Sequence, residues 1–308
     1  MIDLRPYILP EGNVQICFSG GRTSAYMLHK ILEANGGLPD RVKVIFTNTG
    51  REFDDTLDFV QDCSERFGVK IIWLEYTRDW KDSKRLISLG QQLGIRDNKP
   101  FHKYWKTVPT FERVNHNRAS RNGEPFMQMI RAKKYLPNVA TRFCTIELKI
   151  RTAKRYLVNQ GWSNWTNILG IRADEPRRIK REQPKERWSN SYPLFDAGVT
   201  VRDIANFWKA SDFDLGLLGI DGKTPLGNCD GCFLKSEANR AALARDYPKR
   251  FQWWIEAEAE ASKIAKQSAS QFRRDQSYAQ MSQFVKDQGR LFDKNGYWCQ
   301  SNEGECTG

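Results

Sequence analysis

Two stretches of this chain carry residue types at spacings that do chemistry. The first is FSGGRTSAY, residues 18–26. Gly20 and Gly21 let backbone N–H groups approach an anion with no Cβ in the way. Ser19, Thr23 and Ser24 add hydroxyl donors, and Arg22 adds a planar fork for phosphate or sulfate oxygens. Taken alone, the same residues also read as an ordinary tight turn with a Ser/Thr cap. The second stretch is GNCDGC, where Cys229 and Cys232 are spaced to place two thiolates on one metal. A zinc site, a redox-active dithiol and two free thiols all fit that spacing. The other cysteines are Cys17, Cys63, Cys144, Cys299 and Cys306. In a cytosolic chain of this size, cysteines serve as free thiols, metal ligands or catalytic groups more often than as disulfides. Cys17, inside a strand, and Cys63, on a helix, read as buried core thiols.

The elements that must position these residues follow from hydrophobic periodicity. Val14 to Phe18 (VQICF) is a short apolar strand. TSAYMLHKILEANGG has apolar positions at helical spacing and stops at Gly36-Gly37. VKVIFTN is a second strand, TLDFVQDCSERFG a second helix and IIWLEY a third strand. Strand and helix alternating in this way predict a parallel α/β sheet. The glycine turn then falls where a strand end meets a helix start, the edge at which open parallel sheets bind ligands and where helix N-termini favour anions.

Residues of about 78–140 read as a basic, aromatic insertion with short helices over one end of the sheet. Within it, FHKYWKTVPTFERVNHNR suits either a lid over a nucleotide or a contact with single-stranded nucleic acid. The helix IELKIRTAKRYLVNQG and the strand NILGI follow, and then a charged loop, IRADEPRRIKREQPKERW. Residues 236–288 read as helical, with Phe251, Trp253 and Trp254 packing into a core. The polar tail beyond them reads as mobile unless it is tied down.

The 308 residues include 49 Lys and Arg against 37 Asp and Glu, a net charge of +12, with 40% hydrophobic residues. That composition excludes a disordered, collagen-like or coiled-coil chain. The charge suits a nucleotide or nucleic-acid partner, and it suits a solvated basic surface equally. No run of eighteen apolar residues predicts a membrane span. The N-terminus lacks secretory character, so a cytoplasmic protein is expected. GLLGIDGKTP has the wrong glycine spacing for a P-loop, with Pro225 where a helix would start. None of His29, His102 and His116 pairs in a metal-binding pattern.

Six blocks in one order resemble the phosphoadenosine phosphosulfate (PAPS) reductases of the PP-loop superfamily, which also includes the N-type ATP pyrophosphatases. They are FSGGRTSA, FTNTGREFDDTLDFV, RFCTIELKIRTAKRYL, GIRADEPRR, YPLFDAGVTVRDIANFW and GNCDGCFLK. The resemblance implies an open, mostly parallel α/β sheet with helices on both faces, Rossmann-like, over residues 1–235. Residues 236–308 would form a C-terminal helical region. It implies an adenine nucleotide, either ATP or an adenylyl sulfate, with its phosphates on Ser19, Gly20, Gly21, Arg22, Thr23, Ser24 and Arg172. The adenosine would lie by Thr49, Gly50 and Arg51. In iron–sulfur members a second cysteine block completes a 4Fe–4S set; here that implies Cys144, Cys229 and Cys232, with Cys299 or Cys306 as the fourth ligand. The terminal ECTG resembles a reductase tail, which would make Cys306 the sulfonate-attacking thiol, resolved by a thioredoxin- or glutaredoxin-like reductant.

ATP-cleaving relatives carry an Asp that helps hold Mg²⁺ where this chain has Thr23. This departure favours thiol-dependent reduction of adenylyl sulfate or its 3′-phospho form. It weighs against an ATP-dependent sulfur transferase, with Mg²⁺, acting on tRNA or DNA. A third reading is a non-catalytic nucleotide-sensing or nucleic-acid-binding protein.

Overall fold

A computed structural model describes residues 3–77, 111–180, 185–264 and 270–288. Strands β1 (Val14–Phe18), β2 (Val42–Asn48), β3 (Ile71–Tyr76), β4 (Phe111–Val114), β5 (Trp165–Ile168) and β6 (Trp188–Ser191) form one sheet in the order β4-β3-β2-β1-β5-β6. Every pairing is parallel except β3 with β4. β2 lies on one side of β1 and β5 on the other, so the chain reverses its direction of winding at β1. Ligands bind at such a switch point, beyond the strand C-termini. The turn leaving β1 therefore sits where the topology opens a crevice.

Helices α1 (Arg22–Asn35) and α2 (Asp54–Arg66) follow β1 and β2. α1 buries Ala25, Met27, Leu28 and Ile31 on one stripe, and Gly36 at φ 64° ends it with its N–H bonded to Leu32 O. Part of the insertion is described: it supplies edge strand β4 and helix α3 (Glu124–Lys133). The opposite sheet face is covered by a π-helical turn, Thr145–Ile150, continuing into α4 (Arg151–Asn159). Next come α5 (Pro193–Asp196) and α6 (Val201–Ala210), the latter opened by a reciprocal Thr200–Asp203 capping box. The predicted strand NILGI begins earlier, at Trp165, and ends at Ile168.

The C-terminal helices are α7 (Glu237–Asp246), α8 (Pro248–Ile264) and α9 (Tyr278–Gln288). They share one hydrophobic cluster with the sheet, running from Val14 and Phe46 through Phe126 to Trp254, Phe272 and Tyr278. Trp254 is wholly buried and packs edge-on against Phe126 of α3. Glu258 of α8 ties down the following segment by accepting the N–H groups of Phe272 (3.1 Å) and Tyr278 (2.8 Å). Burial raises its carboxyl to about 7 from 4.5. The folded state therefore holds this proton where the unfolded chain has lost it. The stability so gained is full below pH 4.5 and is lost as pH rises through about 7. Denaturant melts should show stability falling by about 2–3 kcal/mol between pH 5 and pH 8, and Glu258→Gln should flatten that slope.

Candidate functional site

The turn after β1 owes its shape to two glycines used differently. Gly20 has φ 77°, the left-handed region. A Cβ there would lie 2.9 Å from Thr56 Cγ2 and 3.0 Å from Val60 Cγ2 of α2. Gly20→Ala should therefore cost about 1–3 kcal/mol of folding stability in a denaturant melt. Gly21 is the N-cap of α1, with extended backbone and no side-chain cap. Ser24 closes the loop from inside: its Oγ accepts the Ser19 N–H (3.2 Å), donates to Gly21 O (2.9 Å) and lies 3.0 Å from Ser19 Oγ. Arg172, beyond β5, reaches this turn across the switch point, its Nη1 donating to Thr23 Oγ1 at 3.3 Å. Asp174 and Glu175 hold the guanidinium (3.0 and 3.6 Å).

Arg22 is a correction. Its guanidinium turns away from the phosphate position expected of it and grips Asp214 through two bonds (2.6 and 2.7 Å). It also donates to Leu215 O, Leu217 O and Thr224 Oγ1. With these partners it pins the 214–224 loop to the start of α1.

The second turn carries a similar correction. The amides of Thr49 and Arg51 do not stand open for a ribose: the carboxylate of Glu52 accepts the Thr49 N–H (2.9 Å), the Thr49 hydroxyl and the Arg51 N–H (3.2 Å). Asn48 Oδ1 accepts from Gly50 N. The Arg51 side chain, 4% exposed, leaves the crevice for Asp230 (2.5 Å) and Arg250 O (2.9 Å), and stacks on Trp253. The backbone of this turn lines the switch-point edge, but its charged group builds the interior.

Asp230, between the two cysteines, is wholly buried. It accepts from Arg51, Arg250 Nε (2.7 Å), Trp254 Nε1 (2.8 Å) and Gly231 N (2.7 Å). Gly231 has no room for a side chain, since a Cβ would sit 2.3 Å from Trp254 Nε1. Sequence reasoning missed Asp230 and Arg250. A carboxylate inside CDGC was the one visible signal, and nothing marked Arg250.

Cys229 Sγ lies 3.3 Å from Thr49 Oγ1. Burial pushes its thiol up to about 12, Glu52 adds to this, and Lys149 and Thr49 oppose it; the Cys144 thiol contributes as a near neighbour. The structure thus brings Cys144 towards Cys229. Cys232 is buried a single turn further on, its N–H bonded to Cys229 O (3.3 Å). Among the described residues no three Cys, His, Asp or Glu side chains gather as a metal ion requires. The described thiols alone therefore do not fit a four-thiolate cluster. Cys299 and Cys306 lie outside the described residues. Cys63 is a core thiol as expected, with 0% exposure. Cys17 is another correction: it alternates away from the core of β1 into the wall of a cavity, and burial raises its thiol to about 12.

That cavity encloses about 650 Å³ on the sheet face beneath α4. It opens from Ser19 and Cys17 across Thr47, Asn167 and Asn190 to Trp188. Among the described residues six cations line it and no carboxylate does.

The six-stranded sheet, with an arginine meeting a glycine turn at its switch point, defines a mostly parallel α/β protein with a ligand-binding edge at that turn. The chain belongs to the phosphoadenosine phosphosulfate reductase domain family, whose model matches residues 13–215. It is 31% identical over 233 residues to an uncharacterized nin region protein of Escherichia phage lambda, covering 75% of this chain and 69% of that one. Among solved structures it is similar to the PAPS reductase of Candida auris in a phosphate complex, at 14% identity and TM-score 0.37 over 69% of this chain and 81% of that one. It is also similar to a tRNA thiolase, NcsA, of Methanococcus maripaludis with its 4Fe-4S cluster, at 12% identity and TM-score 0.40 over 94% and 86%. Likeness at that level says nothing of activity.

Proposed function

We propose that the chain is an adenine-nucleotide-dependent enzyme of sulfur chemistry. It holds a phosphosulfate or polyphosphate on the β1–α1 turn, with Arg172 as the cation at that turn. The observation that carries this reading is Arg172 Nη1 at Thr23, delivered from the far side of the switch point. In the reductase form a thiolate attacks the sulfonate sulfur, an S–S bond forms, and the S–O bond breaks with its electron pair leaving on the nucleotide's phosphate. A thioredoxin- or glutaredoxin-like dithiol then releases sulfite and leaves as a disulfide. The attacking group must be ionised. Burial raises the Cys229 thiol to about 12, and the terminal ECTG resembles the reductase tail that supplies the attacking thiol, so that role is given to Cys306. Calorimetric titration of ATP, adenylyl sulfate and its 3′-phospho form side by side tests the reading. Saturable binding of at least one is expected, and binding of none would refute it.

A second reading, the ATP-dependent sulfur transferase acting on tRNA or DNA, is favoured by the six cations that line the cavity beside the turn. The cysteine set is tested separately. Protein purified without oxygen is expected to be brown if Cys144, Cys229, Cys232 and a tail cysteine hold a cluster, and a colourless preparation with neither iron nor zinc would remove that set. About four irons per chain, lost in Cys229→Ala, would support the four-thiolate set.

A further inference from the structure

The positive charge of this chain is not spread over it. Residues 131–155, 177–180 and 185–187 hold 13 Lys and Arg against two acidic residues, Glu147 and Glu186. The rest of the chain is balanced, with 36 Lys and Arg against 35 Asp and Glu. The fold gathers the three segments. Lys133, which ends α3, and Arg151, which opens α4, meet on one carboxylate oxygen of Glu147, each at 2.6 Å. Lys154, about one turn along α4, pairs with Glu186 at 2.7 Å and lies 5.0 Å over the Trp188 ring. That brings residues 185–187 alongside the helix. Arg177, Arg178 and Lys180 join through the cavity, whose wall they share with Lys149 and Lys154. One basic face therefore runs from the end of α3 over α4 to the start of β6.

Six of its cations line the cavity and can serve an adenylate there. The other seven lie outside that wall, where a nucleotide on the glycine turn leaves them unexplained. Lys134, Lys185 and Arg187 are exposed and form no ion pair among the described residues. Like charges gathered on one face repel, and salt reduces that cost without removing it. An adenylate carries its charge on one short group. A nucleic-acid backbone carries one charge in about every 1.7 Å of duplex, enough to offset a whole face. A protein partner fits less well: charged residues are depleted from the cores of protein–protein interfaces, whereas nucleic-acid interfaces are much more positive.

We infer that the outer face formed by the end of α3, by α4 and by residues 185–187 docks the phosphate backbone of a nucleic acid, outside the cavity and without reading its bases. The inference deepens the transferase reading and rests on it for what the docking is for. Docking itself is measured without nucleotide. The probes are labelled single-stranded and duplex DNA and single-stranded RNA of about twenty nucleotides, titrated against the full chain from about 50 to 200 mM salt. The test variant combines Lys134→Asn, Lys185→Gln and Arg187→Gln. All three side chains are exposed, and Asn tolerates the left-handed backbone at position 134, φ 64°. A control variant removes three exposed cations elsewhere, with Lys209→Gln, Lys249→Gln and Lys286→Gln.

The test variant is expected to bind nucleic acid about tenfold or more weakly and to lower the salt slope by about 2–3. The control should stay within about twofold of wild type, and both should bind ATP as wild type does. The probe held tightest names the strand. Equal losses in the two variants would overturn the inference, because they would reduce it to net charge. So would a wild type that binds none of the three probes. Phosphatidylserine–phosphatidylcholine vesicles displacing the nucleic acid, and losing affinity in the test variant alone, would overturn it in favour of a membrane surface. Docking by a wild type that takes no ATP would leave this inference standing and sink the transferase reading instead.

Discussion

Gly21→Asp is expected to reduce nucleotide affinity by at least about a hundredfold while leaving the fold as stable as before. The two halves of that result have separate causes. Gly21 has φ −102° and ψ 164°, open to any L-residue, and it is the N-cap of a helix that lacks a side-chain cap. Aspartate is among the best N-cap residues, so α1 should gain up to about 1 kcal/mol. The same carboxylate would occupy the first-turn N–H groups that a phosphate needs and set a negative charge about 4 Å from it. Repulsion of about 4 kcal/mol at an intermediate effective dielectric exceeds the 2.7 kcal/mol that a hundredfold loss requires. Isothermal titration with the tightest-binding nucleotide, beside a denaturant melt, measures both. Unchanged affinity would remove the glycine turn from the site, whatever the melt shows. Gly20→Ala is the informative contrast, since it should lose stability through contact with Thr56 and Val60.

The elements were legible where one physical signal dominated. VKVIFTN and IIWLEY match β2 and β3 residue for residue. Buried parallel strands are continuous apolar runs ended by turn residues, and nothing competes with that pattern. The glycine turn was legible for the same reason, and so was its meeting with Arg172, through the family resemblance. The directions of Arg22 and Arg51 were not. Each guanidinium is claimed by a carboxylate far along the chain, Asp214 at 192 residues and Asp230 at 179. Local spacing carries no information on such partners. Cys17 was misplaced for a different reason: β1 is covered by helices on one face and by a cavity on the other, and Gln15, two residues before Cys17, was the local mark of the cavity face that sequence reasoning passed over. The pairing of Asn167 with Asn190 depends on the β5–β6 register, which no local pattern sets.

Asp230→Ala should destabilise the protein by about 3–5 kcal/mol, the cost of stranding a buried charge. Its carboxylate is wholly enclosed, and it is the shared acceptor for Arg51, Arg250, Trp254 and the Gly231 amide. Deleting it leaves Arg51, at 4% exposure, with one carbonyl and the face of Trp253. Burial already lowers the pKa of that guanidinium, and the charge of Asp230 is the largest influence opposing it. Arg51→Met removes the other side of the pair and should cost a similar amount. The double variant should cost less than the two single losses added, because neither charge is then left alone. Chemical denaturation of the three variants closes this cycle. The same proteins decide between two roles for Arg51. A nucleotide ligand would lose affinity on substitution and keep its stability. A strut between the β2–α2 turn, the CDGC loop and α8 would lose stability and, in the surviving folded fraction, keep its affinity. The geometry requires the second outcome, and additive losses in the double variant would show that Asp230 and Arg51 are not coupled as the 2.5 Å contact demands.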